Sequence, residues 1–235
     1  MVAKYFYKAI RHLLFRARAR GASNIVTEEP VIFVANHAGS FGPVSVITSV
    51  PARMHPWVAH EVTEPEAAAR RIQAEFFEQE LHLKPPLSSS LARLVGRICV
   101  ALMKDIGAIP VFARSRKIQT TVERSLALLE QGRNILVFPE DAKRPINEVF
   151  SDFCTGFIHL ARLYYERTRK AILFLPIAVN RNVGAIRIGK PIRYDAEAPY
   201  PQEKLRLKRE LERTIHTLYY ALEEEGSQRK ASGMR

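Results

Sequence analysis

The sequence predicts an α/β fold: a single domain with a central, mostly parallel sheet flanked by helices and a basic amphipathic helix at its N-terminus. Three observations predict it. Val31-Ile32-Phe33-Val34-Ala35 is a continuous apolar, β-branched run of the kind covered on both faces in a parallel sheet, and Ile135-Leu136-Val137-Phe138 and Ile172 to Val179 supply further strands. Longer segments with apolar residues at helical spacing alternate with these runs. The chain of 235 residues, 47% of them hydrophobic, can bury a sizeable core, which excludes disorder of the whole.

Taken in order, residues 1–22 come first. Val2, Phe6, Ala9, Ile10, Leu13 and Ala17 fall at helical spacing, Lys4, Lys8, Arg11 and Arg18 fall on another face, and no acidic residue precedes Glu28. Such a helix suits the surface of an anionic membrane, where each basic residue contributes about 1 kcal/mol. Packing on the core would use the same apolar stripe, so both readings stay open. Charged residues recur throughout and no long apolar run follows, which disfavours a secretory signal.

The uncharged stretch from Val31 to Ala52 is interrupted by Asn36, His37, Gly39, Gly42 and Pro43, so it reads as strand, turn and helix rather than a membrane span. Gly42 is expected as the N-cap and Pro43 as the first helical residue, with the helix ending at Val50. His37 then sits at the C-terminal end of a strand, the edge where ligands collect in open α/β sheets. An imidazole there is a candidate general base, although Asn-His is also ordinary turn chemistry.

Further on, Trp57 to His60 reads as a short strand and Pro65 to Leu81 as a helix with Ile72, Phe76 and Leu83 toward a core. Pro85-Pro86 ends it. A second helix carries Leu91, Leu94, Val95, Ile98, Ala101 and Leu102 on a broad apolar face; burial in the core is the default, and an acyl-chain wall or membrane contact has the same periodicity. Ala108 to Phe112 is a strand with an internal proline, hence edge-like, followed by Arg114, Arg116 and Lys117. A helix through Ile118, Val122, Leu126 and Leu129 stops at Gly132, and the next strand runs into Pro139-Glu140-Asp141-Ala142-Lys143-Arg144. Phe153, Phe157, Leu160, Ala161 and Tyr164 share a helix face. Strands at Ile172 to Val179 and Ala185 to Ile188 precede a helix from Gln202 to Glu225, and residues 226–235 read as a flexible basic tail.

The formal net charge of +12 favours an anionic partner, whether nucleic acid, anionic lipid or a phosphorylated substrate. Cys99 and Cys154 form neither a disulfide framework nor a metal-ligand spacing, and their core-like neighbours make them buried thiols. The chain has no metal-ligand helix motif, no phosphate-binding glycine loop, and no zinc, helix-turn-helix or aromatic RNA-binding signature.

Four separated segments together resemble the glycerolipid acyltransferase family typified by 1-acylglycerol-3-phosphate O-acyltransferase, over roughly residues 25–195. Asn36 and His37 match the first motif, with Ser40 where a serine is common, but Gly42 stands where that family has Asp. Gly107-Ala108-Ile109-Pro110-Val111 looks like the second, with Arg114 one residue late. Phe138, Pro139 and Glu140 match the third, after which Asp141, Ala142 and Lys143 depart and Arg144 again comes one residue late. Leu175-Pro176-Ile177-Ala178-Val179 resembles the fourth.

The resemblance implies an acyltransferase-like domain over residues 23–225, peripheral on the cytoplasmic face of a membrane. It would move a fatty acyl group from acyl-CoA or acyl carrier protein, as co-substrate, to a lysophospholipid hydroxyl, with no further cofactor and no nucleic-acid partner. His37 would be the general base, Glu140 or Asp141 an accompanying carboxylate, and Arg114, Lys143 and Arg144 the grip on the acceptor's phosphate. Asn36, Ser40, Gly107, Phe138 and Pro139 would complete the substrate site. A non-catalytic lipid- or thioester-binding relative is the alternative that the missing Asp raises, and Gly42→Asp is expected to raise turnover if only an orienting carboxylate is lacking.

Overall fold

The computed structural model describes residues 17–39, 41–113, 115–140 and 152–232. In chain order its principal elements are β1 (Arg18–Arg20), β2 (Val31–Ala35), α1 (Phe41–Ser49), β3 (Met54–Ala59), α2 (Pro65–Ile72), α3 (Leu87–Asp105), β4 (Ile109–Val111), α4 (Ile118–Glu130), β5 (Asn134–Val137), α5 (His159–Thr168), β6 (Leu173–Asn180), β7 (Ala185–Ile188), β8 (Ile192–Arg193) and α6 (Tyr200–Ala231). They form two compact units, one made by His55–Ser125 and the other by the described residues up to Met54 and from Leu126 onward.

In the first unit β3 and β4 pair in parallel, Trp57 opposite Ile109 and Ala59 opposite Val111. Trp57 Nε1 donates to Ser125 Oγ at 2.9 Å, giving the half-buried indole N–H its acceptor. Helix α2 has Pro65 at its start and continues as a π-helix over Gln73–Glu80. The wider π winding shifts the phase of the apolar stripe. Consequently Ala68, Ala69 and Phe77 are buried, whereas Ile72, Phe76 and Leu83, expected toward the core, are only half-buried. Helix α3 packs closely on α2: a Cβ on Gly96 would lie 3.0 Å from the Ala69 Cα. Such an approach selects small residues, and Ser88, Ala92 and Gly96 are on the buried side. Leu94 and Ala101 accordingly face outward, contrary to the core placement expected for that stripe.

In the second unit the strand order is β1-β7-β6-β2-β5, with β8 also beside β6. The β1/β7, β6/β2 and β2/β5 pairs are parallel, and β6 pairs antiparallel with β7 and β8. Every residue of β2 and β6 is buried, as their uninterrupted apolar runs require. On one face Val31, Phe33 and Ala35 of β2 join Leu175 and Ile177 of β6 and Phe41, Val46 and Val50 in a core cluster. Helix α6 packs on β6 and β7 through Leu207, Leu211, Ile215, Tyr219 and Leu222, all buried. Burying each such large side chain stabilises the fold by about 1.5–3 kcal/mol. Leu160, Ala161 and Tyr164 of α5 are buried, as are Phe153 and Phe157 ahead of it.

Several sequence expectations shift. The amphipathic segment 2–17 lies outside the described residues except for Ala17, and Arg18–Arg20, counted within it, form strand β1. Helix α1 begins at Phe41, so Gly42 sits in its first turn and is not its N-cap. Helix α6 continues past Glu225 to Ala231, with Gly226 close against the Val183 side chain, so residues 226–231 are helical rather than a loose tail. Cys154 is exposed and Cys99 only half-buried, so neither is the deeply buried thiol expected, though burial still raises the pKa of Cys99. Among the described residues no helix is long and apolar enough to cross a membrane.

Candidate functional site around His37

The site is assembled by strand register. Val34 of β2 pairs with Val137 of β5, and extending that register by three residues brings His37 beside Glu140. The His37 backbone N–H donates to Glu140 Oε2 at 2.9 Å. On the other side Ala35 pairs with Ile177 of β6, and just beyond it the Asn36 side chain takes over from the sheet ladder. Asn36 Nδ2 donates to the Val179 carbonyl at 2.8 Å while Asn36 Oδ1 accepts from the Val179 N–H at 2.7 Å. The amide is 4% exposed, so both bonds are made in a low-dielectric setting where leaving either group unpaired costs about 1–3 kcal/mol.

After His37 the chain reverses through Ala38 at φ +46° and Gly39 at φ +65°. A left-handed alanine carries about 1–2 kcal/mol of strain, which the bonds at Asn36 and Glu140 hold in place. The turn brings the first helical residues back over the strand end. A Cβ at Gly42 would collide with the His37 carbonyl oxygen and lie 2.7 Å from the carbonyl carbon. Any side chain at this position, aspartate included, would require the His37 backbone to shift.

The half-buried imidazole meets the Phe138 ring edge-on, centroids 5.3 Å apart at 71°. Pro139 is buried, and its carbonyl accepts the Cys154 N–H at 2.8 Å; the neighbouring Phe153 N–H donates to Glu212 Oε1 at 2.9 Å. Burial raises the pKa of Glu140, because a poorly solvated carboxyl resists ionisation, and the hydrogen bond from His37 opposes that rise. The arrangement is a carboxyl group anchored to the backbone of a histidine at the C-terminal end of strand β2.

Of the residues singled out in the sequence, Asn36, His37, Phe138, Pro139 and Glu140 come together here. Ser40, Arg114, Asp141, Lys143 and Arg144 lie outside the described residues. Gly107 belongs to the first unit, where its φ is +65°, its carbonyl lies 3.0 Å from His55 Nδ1 and a Cβ would stand 2.6 Å from the same nitrogen. Glycine there makes the seat for His55. Two contributors have roles that only the fold reveals: Val179, through its backbone, and Gly42, through the space it leaves for His37. Among the described residues no group of three or more His, Cys, Asp or Glu could hold a metal ion.

Comparison with solved structures shows that this α/β chain has the fold of a lysophospholipid acyltransferase. One match is the crystal structure of the 1-acyl-sn-glycerophosphate (LPA) acyltransferase PlsC from Thermotoga maritima, with a TM-score of 0.54 and 15% sequence identity, covering 94% of this chain and 80% of that one. No protein-family model matches the sequence, and no curated protein matches it. The resemblance seen in the motifs therefore has its counterpart at the level of the fold.

Proposed function

We propose that the protein transfers a fatty acyl group from an acyl thioester, on coenzyme A or acyl carrier protein, to the hydroxyl of a lysophospholipid such as lysophosphatidate, working at the cytoplasmic surface of a membrane. The observation that carries this reading is the seat of His37, fixed by Asn36 on one side and by Glu140 on the other. The acyltransferase fold supports it. Neutral imidazole takes the acceptor's proton as the hydroxyl oxygen attacks the thioester carbonyl. The tetrahedral intermediate collapses with cleavage of the C–S bond, and imidazolium returns the proton to the departing thiolate, so an ester and a thiol leave without an acyl-enzyme. Glu140 is a positioning residue that holds the His37 backbone, and when ionised it favours imidazolium. Lys143 and Arg144 bind the acceptor's phosphate, which turns binding into effective molarity, and Asp141 adds a second carboxylate.

The test is thiol release by the purified full chain with lysophosphatidate and acyl-coenzyme A. His37→Ala is expected to lower kcat by about 10²–10⁴-fold. The crowding at Gly42, which leaves no place for the usual aspartate, favours a second reading: a lipid- or thioester-binding protein without catalysis. Wild-type protein that binds lysophospholipid but releases no thiol from either donor establishes that reading instead.

A further inference from the structure

Helix α3 leaves large apolar side chains on its outer face. The face it turns to α2 is made of small residues, Ser88, Ala92 and Gly96, because the backbones approach too closely for larger ones. Farther along Val100 and Leu102 are buried as well, but Leu87 is 56% exposed and Leu94, two turns on, 59%. Leu81, in the segment leading into the helix, is 49% exposed. Soluble surfaces seldom group large apolar side chains in this way without something to cover them. Interleaved with the leucines are the exposed Lys84, Arg93, Arg97 and Lys104, and from Leu81 to Lys104 the sequence has no acidic residue.

We infer that this face, from Leu81 through the outer side of α3, docks on an anionic lipid bilayer. Charge selects the occupant: a second copy of the same face would set these cations against one another, whereas anionic headgroups neutralise them while the leucines enter the acyl boundary. Long Lys and Arg stems allow the charges to remain at headgroup level. The inference rests on the reading of the protein as one that works on lipid, but not on catalysis by His37.

The experiment is cosedimentation of the full chain with phosphatidylcholine vesicles, with and without phosphatidylglycerol. Combining Leu81→Ser, Leu87→Ser and Leu94→Ser should weaken binding to the anionic vesicles at least about tenfold. Combining Arg93→Gln and Arg97→Gln should lower the preference for phosphatidylglycerol by roughly fivefold per residue. The altered side chains are exposed, so circular dichroism and the unfolding midpoint should not move. Leu94→Trp, compared with wild type carrying only Trp57, should show fluorescence quenching by brominated lipid. Unchanged affinity of the leucine variant, absence of quenching, or a wild-type dimer that the leucine variant abolishes would each overturn the inference. Thiol release from water-soluble short-chain substrates should be the same in the leucine variant and wild type; loss of activity in wild type with docking intact sinks the catalytic reading alone.

Discussion

His37 is held from two sides by different chemistry. On the β6 side the Asn36 amide makes two short bonds to one backbone residue and carries no charge, so its hold is the same at any pH that leaves the protein folded. On the β5 side a carboxyl group accepts from the His37 N–H, in a setting whose burial opposes its ionisation. The first side fixes the strand end; the second makes the grip on the histidine depend on protonation.

The largest effect is expected from breaking the neutral side. Asn36→Ala leaves both Val179 backbone groups without partners in the core, and urea unfolding should show a loss of about 2–5 kcal/mol. Asn36→Asp sharpens the point: it keeps an acceptor for the Val179 N–H but loses the donor to the carbonyl, so it should fall short of wild type as well. Next comes the space between the supports. Gly42→Ala should lower stability by about 1–3 kcal/mol through overpacking against the His37 carbonyl, and Gly42→Asp should do no better in stability or turnover.

The smallest effect is expected on the charged side. Glu140→Gln preserves an acceptor for the His37 N–H and should change stability near neutral pH by no more than about 1.5 kcal/mol. Its dependence on pH carries the information. Because the folded-state pKa of Glu140 lies above the ordinary glutamate value of 4.5, its contribution is complete below that value and is lost as pH rises through the raised pKa. Thermal unfolding from acid pH upward should therefore show the Gln variant gaining on wild type across that window. Parallel profiles would mean that Glu140 is not perturbed in the folded protein.

How much of this was legible in the sequence depends on range. The β2 run and the Asn36-His37 pair at its end could be read locally, because strand and turn chemistry lie within a few residues of each other. Glu140 could be noticed but not assigned: it bonds a residue 103 positions earlier, and only the knowledge that β5 lies beside β2 supplies the register. The stripe on α3 was visible as a period. Its orientation was not, because periodicity identifies a face without saying what lies opposite, and the close approach of Ala69 to Gly96 is a property of the pair. Gly42 was legible as a helix-start residue and as a departure from a pattern, but not as a crowded position, since the crowding that forbids a side chain there comes from a turn with two left-handed residues.

Strand β1 has a consequence for where the molecule can be pulled. Arg18 pairs with Ala185, and Ala185 with Asn180, the residue after the Val179 that binds Asn36. The chain thus enters the sheet at the same rim as His37, and with three strand spacings from β1 to β2 the sideways distance is roughly 14 Å. Tension applied to the chain at Ala17 is therefore delivered through β7 and β6 to the residue that ties down Asn36.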